Sequence, residues 1–206
     1  MNIKQAKKAL KLSHEVIEEN LGSRNKKQEF INKTLKNYRK IEPNAIKYKQ
    51  KLNKQNFNYG VLGLSMYRTL RNDFRLEQQI SIDILTEILK DMTSKHIDNH
   101  RIQRFFISKT AKYKFIKKMI EKSMFSLNEP NGWKMKRCKS DAYIAFDICQ
   151  CGLYNWLEEE GAEEMCVAFC ETDYVSAQYM KDIEFVRNKT IASGCDICNF
   201  RYSRLD

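Results

Sequence analysis

The chain has 206 residues and a mass of 24.5 kDa, which predicts one domain, or one domain with a helical extension. Hydrophobic residues make up 42% of the chain and aromatic residues 11%, enough for a sizeable core, so a mainly disordered protein is excluded. Its 7 Gly and 2 Pro exclude collagen-like and Pro-rich architectures, and its net charge is +11.

The first 125 residues are predicted to be mainly helical, because their apolar residues recur at helical spacing. In chain order, the pattern predicts a helix over 4–21 that stops at Gly22-Ser23 and a helix over 26–41 that ends before Pro43. Residues 44–58 are predicted to be a helix continuation or a linker. Apolar helical faces follow within 59–74 and 80–92, with a polar break at 71–75, and a further helix is predicted from about 99 to 123.

The period of the pattern changes after the turn signal Asn131-Gly132. Strands are predicted over 133–138 and 142–148, helices over 151–160 and 163–180, and strands over 183–190 and 199–203. This β-β-α-α-β-β order predicts an antiparallel sheet with helices on one face, and an α+β fold for the chain. We therefore divide the chain into a helical, basic part (1–125) and an α+β part that carries the site (126–206), and we expect one structural unit.

The charge is unevenly distributed along the chain. Residues 1–140 carry a balance of +19 and residues 141–206 one of −8. Most cations in the basic half are lysines, whereas arginine is the better bidentate reader of phosphate and bases, and no helix-turn-helix, RNP or zinc-finger pattern accompanies them. We therefore interpret them as solvated helix faces and do not expect nucleic acid as a partner.

Three sequence features bear on location. The chain lacks the run of roughly 18 apolar residues that a membrane span needs, and charges are scattered through its first twenty residues, where a signal peptide would be apolar. Seven cysteines, an odd number, fit reduced thiols better than a disulfide framework. We expect a cytoplasmic protein with no membrane partner, and a homo-oligomer is left open.

All seven cysteines lie in the last third of the chain: Cys138, Cys149, Cys151, Cys166, Cys170, Cys195 and Cys198. The pairs Cys149-x-Cys151 and Cys195-x-x-Cys198 raise the alternative of a four-cysteine zinc site, but only one pair has the usual zinc-knuckle spacing. No cofactor is predicted, and a metal requirement is left open.

The strongest candidate for chemistry is one face of the predicted helix 163–180. Cys166, Cys170 and Asp173 lie at i, i+4 and i+7, where a thiol and a carboxylate one turn apart suit nucleophilic or acid–base chemistry. We interpret Cys166 as core packing. Arg187, on a strand pattern, either pairs with the acidic helix or binds an anion, and Arg201 is expected to share a face with polar residues of the neighbouring strand.

The last sixty residues resemble the L-2-amino-thiazoline-4-carboxylic acid hydrolase family. The similarity is carried by FDICQC (146–151), LEEEGAEEM (157–165), FCETD (169–173), IEFVRNKTIASG (183–194) and CNFRY (198–202), supported upstream by LSMYRTLR (64–71) and the Asn131-Gly132-Trp133 turn.

The resemblance implies a hydrolase that opens a thiazoline or related cyclic amidine ring, converting L-2-amino-thiazoline-4-carboxylate to N-carbamoyl-cysteine. Such chemistry needs a nucleophile or base, a proton donor and a cation for a small anionic substrate. On the matching positions, the resemblance implies Cys170, Asp173 and Cys198 as catalytic residues, with Cys170 as nucleophile. It implies Arg187, Thr190, Arg201 and Cys151 as substrate-binding residues.

Two features depart from the family pattern: Asn199 in the closing motif and the extra Cys166 before FCETD (169–173). Asn199 stands where the family's closing motif usually has aspartate, and it could not ionise if that position were catalytic. The alternative function is therefore a non-catalytic, small-molecule-binding or sensory relative with the same fold.

Overall fold

The computed structural model describes residues 1–41 and 48–205. Pro43 and part of the predicted segment 44–58 lie outside the described residues. The N-terminal part is helical, with α1 (Ile3–Leu12), α2 (His14–Leu21), α3 (Arg24–Ile41), α4 (Lys51–Arg68), α5 (Gln78–Asn99), α6 (Arg101–Ser108) and α7 (Lys114–Phe125). A π-helical turn (Thr69–Asp73) extends α4.

The C-terminal part has the predicted order of elements. It contains β1 (Lys134–Arg137), β2 (Ile144–Gln150), α8 (Gly152–Glu159), α9 (Cys166–Gln178), β3 (Ile183–Val186) and β4 (Cys198–Arg204). All three strand pairings are antiparallel, in the order β1-β2-β4-β3. The α+β fold class is therefore confirmed.

Two predicted helices are each divided in the structure. The segment 4–21 breaks at Ser13, whose buried hydroxyl donates a hydrogen bond to the carbonyl of Ile88, 3.3 Å away on α5. The prediction of a single helix over 99–123 was wrong, because α6 ends at Ser108 and α7 begins at Lys114. Both breaks depend on neighbours distant in sequence or on turns, which apolar periodicity does not encode.

The sheet has one buried face. On β2 this face carries Ile144, Phe146 and Ile148, and on β4 it carries Cys198, Phe200 and Tyr202, as the two-residue period of strands requires. The third predicted strand, 183–190, is shorter than expected, because β3 ends at Val186. The chain then leaves the sheet through Arg187, which is buried.

Helix α4 holds α8 and α9 in place through two close glycine contacts. A Cβ on Gly60 would lie 2.4 Å from Cδ1 of Leu153 on α8, and one on Gly63 would lie 2.3 Å from Cζ of Phe169 on α9. Residues of both predicted parts belong to one cluster of buried hydrophobic side chains. Whether 1–125 and 126–206 fold as one unit stays a prediction.

Within residues 1–41 and 48–205, no helix is long and apolar enough to span a lipid bilayer. The cytoplasmic location stays a prediction.

Candidate active site

Four cysteines that are far apart in sequence meet where α8, α9 and β4 begin. Cys151 is the N-cap of α8, Cys166 is the first residue of α9, Cys170 follows one turn later, and Cys198 opens β4. The Cys166 side chain is hydrogen-bonded to those of Cys151 and Cys170. Cys198 is near enough to Cys151 and Cys170 for the charges of these two thiols to affect its pKa. We refer to these four residues as the thiol cluster.

Cys151 is the thiol in the cluster that the protein makes more acidic. A hydrogen bond from Cys166 lowers the pKa of the Cys151 thiol; burial raises it, the backbone N–H groups of Tyr154 and Leu153 lower it, and the charge of Asp173 raises it. The net effect is a lowered pKa. The Tyr154 N–H donates to Sγ of Cys151 over 3.5 Å at the start of α8, where the helix dipole favours a thiolate.

Cys166 supports Cys151 from a buried position. It is 2% exposed, as the core-packing interpretation expected. Its pKa is raised well above that of an ordinary thiol, first by its hydrogen bonds to Cys151 and Cys170 and then by burial. A thiol that stays protonated can donate to a neighbouring thiolate, so Cys166 has a role beyond filling space.

Asp173 lies on α9, one turn beyond Cys170, and forms an ion pair with Arg187. Burial raises the pKa of Asp173 to about 6, against the opposing effect of Arg187. The carboxylate is not sealed off, because 39% of its side chain is exposed, whereas only 2% of the Arg187 side chain is. Asp173 is thus a carboxylate with a near-neutral pKa, and it faces both solvent and the charge of Cys151.

Arg187 is enclosed rather than open to a ligand. Its Nη2 donates to the carbonyl of Cys170 over 2.8 Å, and its guanidinium carbon lies 5.1 to 5.9 Å from the ring centres of Tyr174, Phe185 and Phe200. Of the two sequence interpretations, the ion pair with the acidic helix is the one observed. The guanidinium positions Asp173; its Nε is buried without a hydrogen-bond partner, and the group as arranged is closed to a substrate carboxylate that arrives from solvent.

Cys198, a predicted catalytic residue, lies on the buried face of β4. Burial raises the pKa of the Cys198 thiol to about 12, despite a hydrogen bond of 3.2 Å from the backbone N–H of Ile191. Its thiol therefore stays protonated at neutral pH, which is unfavourable for a nucleophile.

Two predicted substrate-binding residues have other partners. Arg201 lies on the face of β4 opposite Cys198, as its alternation predicted, and binds Asp147 on β2 over 2.7 Å. Thr190 caps the 3-10 turn Ile191–Ser193 by accepting a hydrogen bond from the N–H of Ser193 over 3.1 Å. The structure does not bring Arg201 to the thiol cluster, and the Thr190 hydroxyl is occupied by the cap.

The hydrogen bonds of Asn199 explain why an asparagine suits this position. Its Oδ1 accepts hydrogen bonds from the backbone N–H groups of Asn188 and Lys189 over 3.2 and 2.8 Å, and its Nδ2 donates to Oδ1 of Asn188 over 2.7 Å. The side chain ties the loop after Arg187 to β4. An amide suits this position because it both accepts and donates, whereas an ionised aspartate only accepts.

A cavity of about 350 Å³ lies near the start of α8, with Tyr48, Lys49, Gln50, Asn128, Glu129, Pro130 and Asn131 along its wall. Tyr48 connects it to the thiol cluster, because a Cβ on Gly152, the residue after Cys151, would lie 2.9 Å from the Tyr48 hydroxyl. A second cavity of about 410 Å³ is lined by residues of α1 and α3, and the described lining of neither cavity includes a predicted site residue.

The four-cysteine zinc alternative receives no support. In the part of the chain that the structure describes, no three His, Cys, Asp or Glu side chains are grouped as they would be to hold a metal ion. The seven cysteines are all free thiols.

Comparison with known proteins identifies the family. The family model described as L-2-amino-thiazoline-4-carboxylic acid hydrolase matches residues 54–202. The chain belongs to this family. No curated protein and no solved structure matches the chain. In this hydrolase-family protein the match includes all four cysteines of the thiol cluster, Asp173 and Arg187.

The place of Cys151 differs by one residue from the sequence prediction. A helix was predicted over 151–160, whereas Cys151 is the N-cap and the helix begins at Gly152. The dipeptide Cys151-Gly152, between the predicted strand and the predicted helix, indicates an N-cap, since N-cap positions favour side chains that accept hydrogen bonds from backbone N–H groups.

Proposed function

We propose that this protein is a hydrolase that opens the ring of L-2-amino-thiazoline-4-carboxylate or a related cyclic amidine. The observation behind this proposal is that Cys151, the N-cap of α8 and a thiol with a lowered pKa, lies near enough to Asp173, a carboxylate whose pKa is about 6, for the charge of Asp173 to affect it. Family membership supports the reaction class. We assign Cys151 as the nucleophile in preference to Cys170, because Cys151 lies at a helix N-terminus and accepts hydrogen bonds there.

The first step opens the ring. Asp173, as carboxylate, takes the proton of Cys151 while the sulfur forms a bond to the amidine carbon, the ring atom between sulfur and nitrogen. The carbon–sulfur bond of the ring then breaks, and the departing thiolate takes the proton from Asp173. A carboxyl group with a pKa near neutrality suits both transfers, because it can accept and return a proton at little cost.

The second step releases the product. Water adds to the same carbon, and the Asp173 carboxylate takes its proton. The bond to Cys151 breaks, Asp173 returns the proton to the departing sulfur, and the product carries the carbamoyl group on nitrogen. One water is consumed, and Cys151 and Asp173 return to their starting state. Arg187 acts as a positioning residue that holds Asp173 through this cycle.

Substrate access is assigned to the cavity beside α8. Tyr48 lines this cavity and lies against Gly152, next to Cys151. Lys49 on the cavity wall supplies a cation for an anionic substrate, a role for which the enclosed guanidinium of Arg187 is poorly placed.

The test is turnover of L-2-amino-thiazoline-4-carboxylate by the purified protein, with N-carbamoyl-cysteine measured by mass spectrometry. We expect turnover, its loss in Cys151→Ser and Asp173→Asn, and its retention in Cys138→Ser, a half-buried cysteine outside the thiol cluster. Turnover that survives in Cys151→Ser and is lost in Cys170→Ser would return the nucleophile to Cys170.

The second candidate is a non-catalytic, ligand-binding relative. The observation that favours it is the ion pair of Arg187 with Asp173, in which the charges of the two side chains satisfy each other. This candidate predicts a rise in melting temperature with L-2-amino-thiazoline-4-carboxylate and no product. Folded protein that gives neither product nor a melting shift would argue against both candidates for this compound.

A further inference from the structure

A second surface, remote from the thiol cluster in sequence, combines exposed apolar side chains with unpaired cations. It comprises residues 101–125, which contain α6, the link 109–113 and α7, and we refer to it as the α6–α7 segment. Five of the eight large hydrophobic residues found exposed among the described residues lie here: Ile102, Phe105, Tyr113, Phe115 and Met119. This concentration distinguishes it from scattered surface hydrophobics, which are normal.

The exposed residues are ordered along their helices. Ile102 and Phe105 are three positions apart on α6, and Phe115 and Met119 are four apart on α7, so each pair shares one side of its helix. The exposed fractions of these four side chains run from 47% for Met119 to 77% for Ile102. Helix α6 has no buried residue, and Ile116 is the buried residue of α7. Each helix thus presents an apolar side that the described parts of the protein leave uncovered.

The segment is strongly basic. It holds eight Lys and Arg against one acidic residue, Glu121. Arg104 pairs with Asp98 and Lys117 with Glu121, whereas six cations have no salt bridge to any carboxylate among the described residues: Arg101, Lys109, Lys112, Lys114, Lys118 and Lys122. The Lys109 and Lys112 ammonium groups lie 5.8 and 5.7 Å from the ring centres of Phe105 and Tyr113. The free charges therefore border the exposed rings.

The segment is anchored to the folded body. Ile116 is 1% exposed, the carbonyl of Ala111 accepts a hydrogen bond of 2.6 Å from Arg204, and the Phe125 ring lies 6.3 Å from that of Phe146 on β2. Helix α7 and the link that joins it to α6 are therefore attached to the rest of the fold.

We infer that the α6–α7 segment docks on an anionic lipid surface, with its apolar side chains in the headgroup region and its lysines against the lipid phosphates or carboxylates. Amphipathic helices with Phe and Leu-type residues beside Lys and Arg bind membranes in this way, through apolar burial plus attraction to anionic lipid. The inference concerns contact with a membrane surface, not a span, and it departs from the sequence expectation of no membrane partner.

The same observations disfavour two other occupants. A second copy that met this surface face to face would bring two strongly cationic segments together, which charge repulsion opposes. Nucleic acid would satisfy the cations and could stack on the aromatic rings, but it would gain nothing from Ile102 and Met119. A lipid surface accounts for both the charge and the aliphatic residues.

The test is co-sedimentation of the full chain with vesicles of phosphatidylcholine alone and with about one third phosphatidylserine. We expect binding to the anionic vesicles, weakened about tenfold or more when salt rises from about 0.1 M to 0.5 M. The combined variant Ile102→Gln, Phe105→Gln, Phe115→Gln should lose about tenfold or more in affinity. Ile80→Gln, which replaces a side chain 46% exposed on α5, is the matched control and should bind unchanged.

A second measurement does not depend on the combined variant. Phe115→Trp adds an exposed fluorophore on α7 to the buried Trp133 and Trp156, and the emission of this variant should shift to the blue with anionic vesicles, and not with neutral ones, by more than that of the unmodified chain. Absence of binding to anionic vesicles at low salt would overturn the inference. So would binding that the combined variant leaves intact, tighter binding to DNA or RNA of mixed sequence than to vesicles, or self-association that the combined variant abolishes.

Discussion

Arg187 is buried against Asp173, yet the carboxylate of Asp173 is the partner that still reaches solvent. The two side chains are 2% and 39% exposed, respectively. The pair therefore differs from a symmetric buried salt bridge: its cation is fixed among aromatic rings, and its anion stands at the border of the thiol cluster. This asymmetry is what a protein needs to hold a working carboxylate in one orientation.

Removing the cation should cost stability in a pH-dependent way. In Arg187→Met the volume is largely kept while Asp173 loses its counter-charge, and we expect the free energy of unfolding at neutral pH to fall by about 2–4 kcal/mol. Arg187 holds the pKa of Asp173 down against burial, so the variant's Asp173 binds a proton more tightly. Once that proton is bound at low pH, no counter-charge is needed, and the loss should shrink as the pH falls from 8 to about 5.

Urea denaturation at both pH values measures this effect. Arg201→Met is the control, because it removes a partly buried pair with Asp147 on the opposite face of the sheet, and it should cost about 1–2 kcal/mol at both pH values. An equal loss for Arg187→Met at both pH values would mean that lost packing of the guanidinium, and not the charge of Asp173, dominates.

The acidified thiol should be visible in its reactivity. Alkylation by iodoacetamide should modify Cys151 at a lower pH than an ordinary cysteine, whose pKa is about 8.5, since the thiolate is the reacting form. Cys166→Ala removes the hydrogen bond that contributes most to lowering the pKa of Cys151, so the reaction should move to higher pH in this variant. Peptide mass spectrometry across a pH series gives the rate at each cysteine.

Cys138→Ala serves as the control for this series, because Cys138 lies outside the thiol cluster, and it should leave the pH profile of Cys151 unchanged. Alkylation of Cys170 ahead of Cys151 in the unmodified chain would contradict the assignment of the nucleophile.

The sequence allowed the tail of the fold to be predicted because its strands alternate and its helices do not. Cys170 and Asp173 fall one turn apart on any helix that covers both, so their proximity followed from spacing alone. Arg201 was expected on the polar face of its strand for the same reason, and it lies there beside Asp147. Local periodicity was sufficient for each of these placements.

Tertiary contacts decided what periodicity could not. The meeting of Cys151 with Cys166 depends on how α8 packs beside α9, and α4 sets that packing through Gly60 and Gly63. The enclosure of Arg187 depends on the rings of Tyr174 and Phe200, which come from α9 and β4. No spacing rule within one element carries this information, so spacing favoured Cys170 over Cys151 and left Arg187 open between an ion pair and an anion-binding role.

Turnover should require the ionised form of Asp173. Its pKa is raised to about 6, so kcat/KM should fall about tenfold per pH unit below that value and level off above it until other groups titrate. Asp173→Asn should lower kcat/KM by about 10²-fold or more and abolish this acid limb. Stopped assays from pH 4.5 to 8 on folded protein test both statements. A limb near pH 4 that survives in Asp173→Asn would assign the base to another group.

The departure at Asn199 should matter for the loop and not for the chemistry. Its amide binds the backbone of Asn188 and Lys189 and the side chain of Asn188, and none of these residues belongs to the thiol cluster. In Asn199→Asp the two backbone hydrogen bonds can persist, but the donation to Asn188 is lost, so we expect the free energy of unfolding to fall by about 1 kcal/mol. Asn199→Ala loses all three hydrogen bonds and should cost more, about 1–3 kcal/mol of unfolding free energy.

Because Cys151 and Asp173 are untouched, kcat should stay within about threefold of the unmodified protein in Asn199→Asp, a change of less than 1 kcal/mol. A large gain in kcat for Asn199→Asp would instead show that a carboxylate at this position takes part in the reaction.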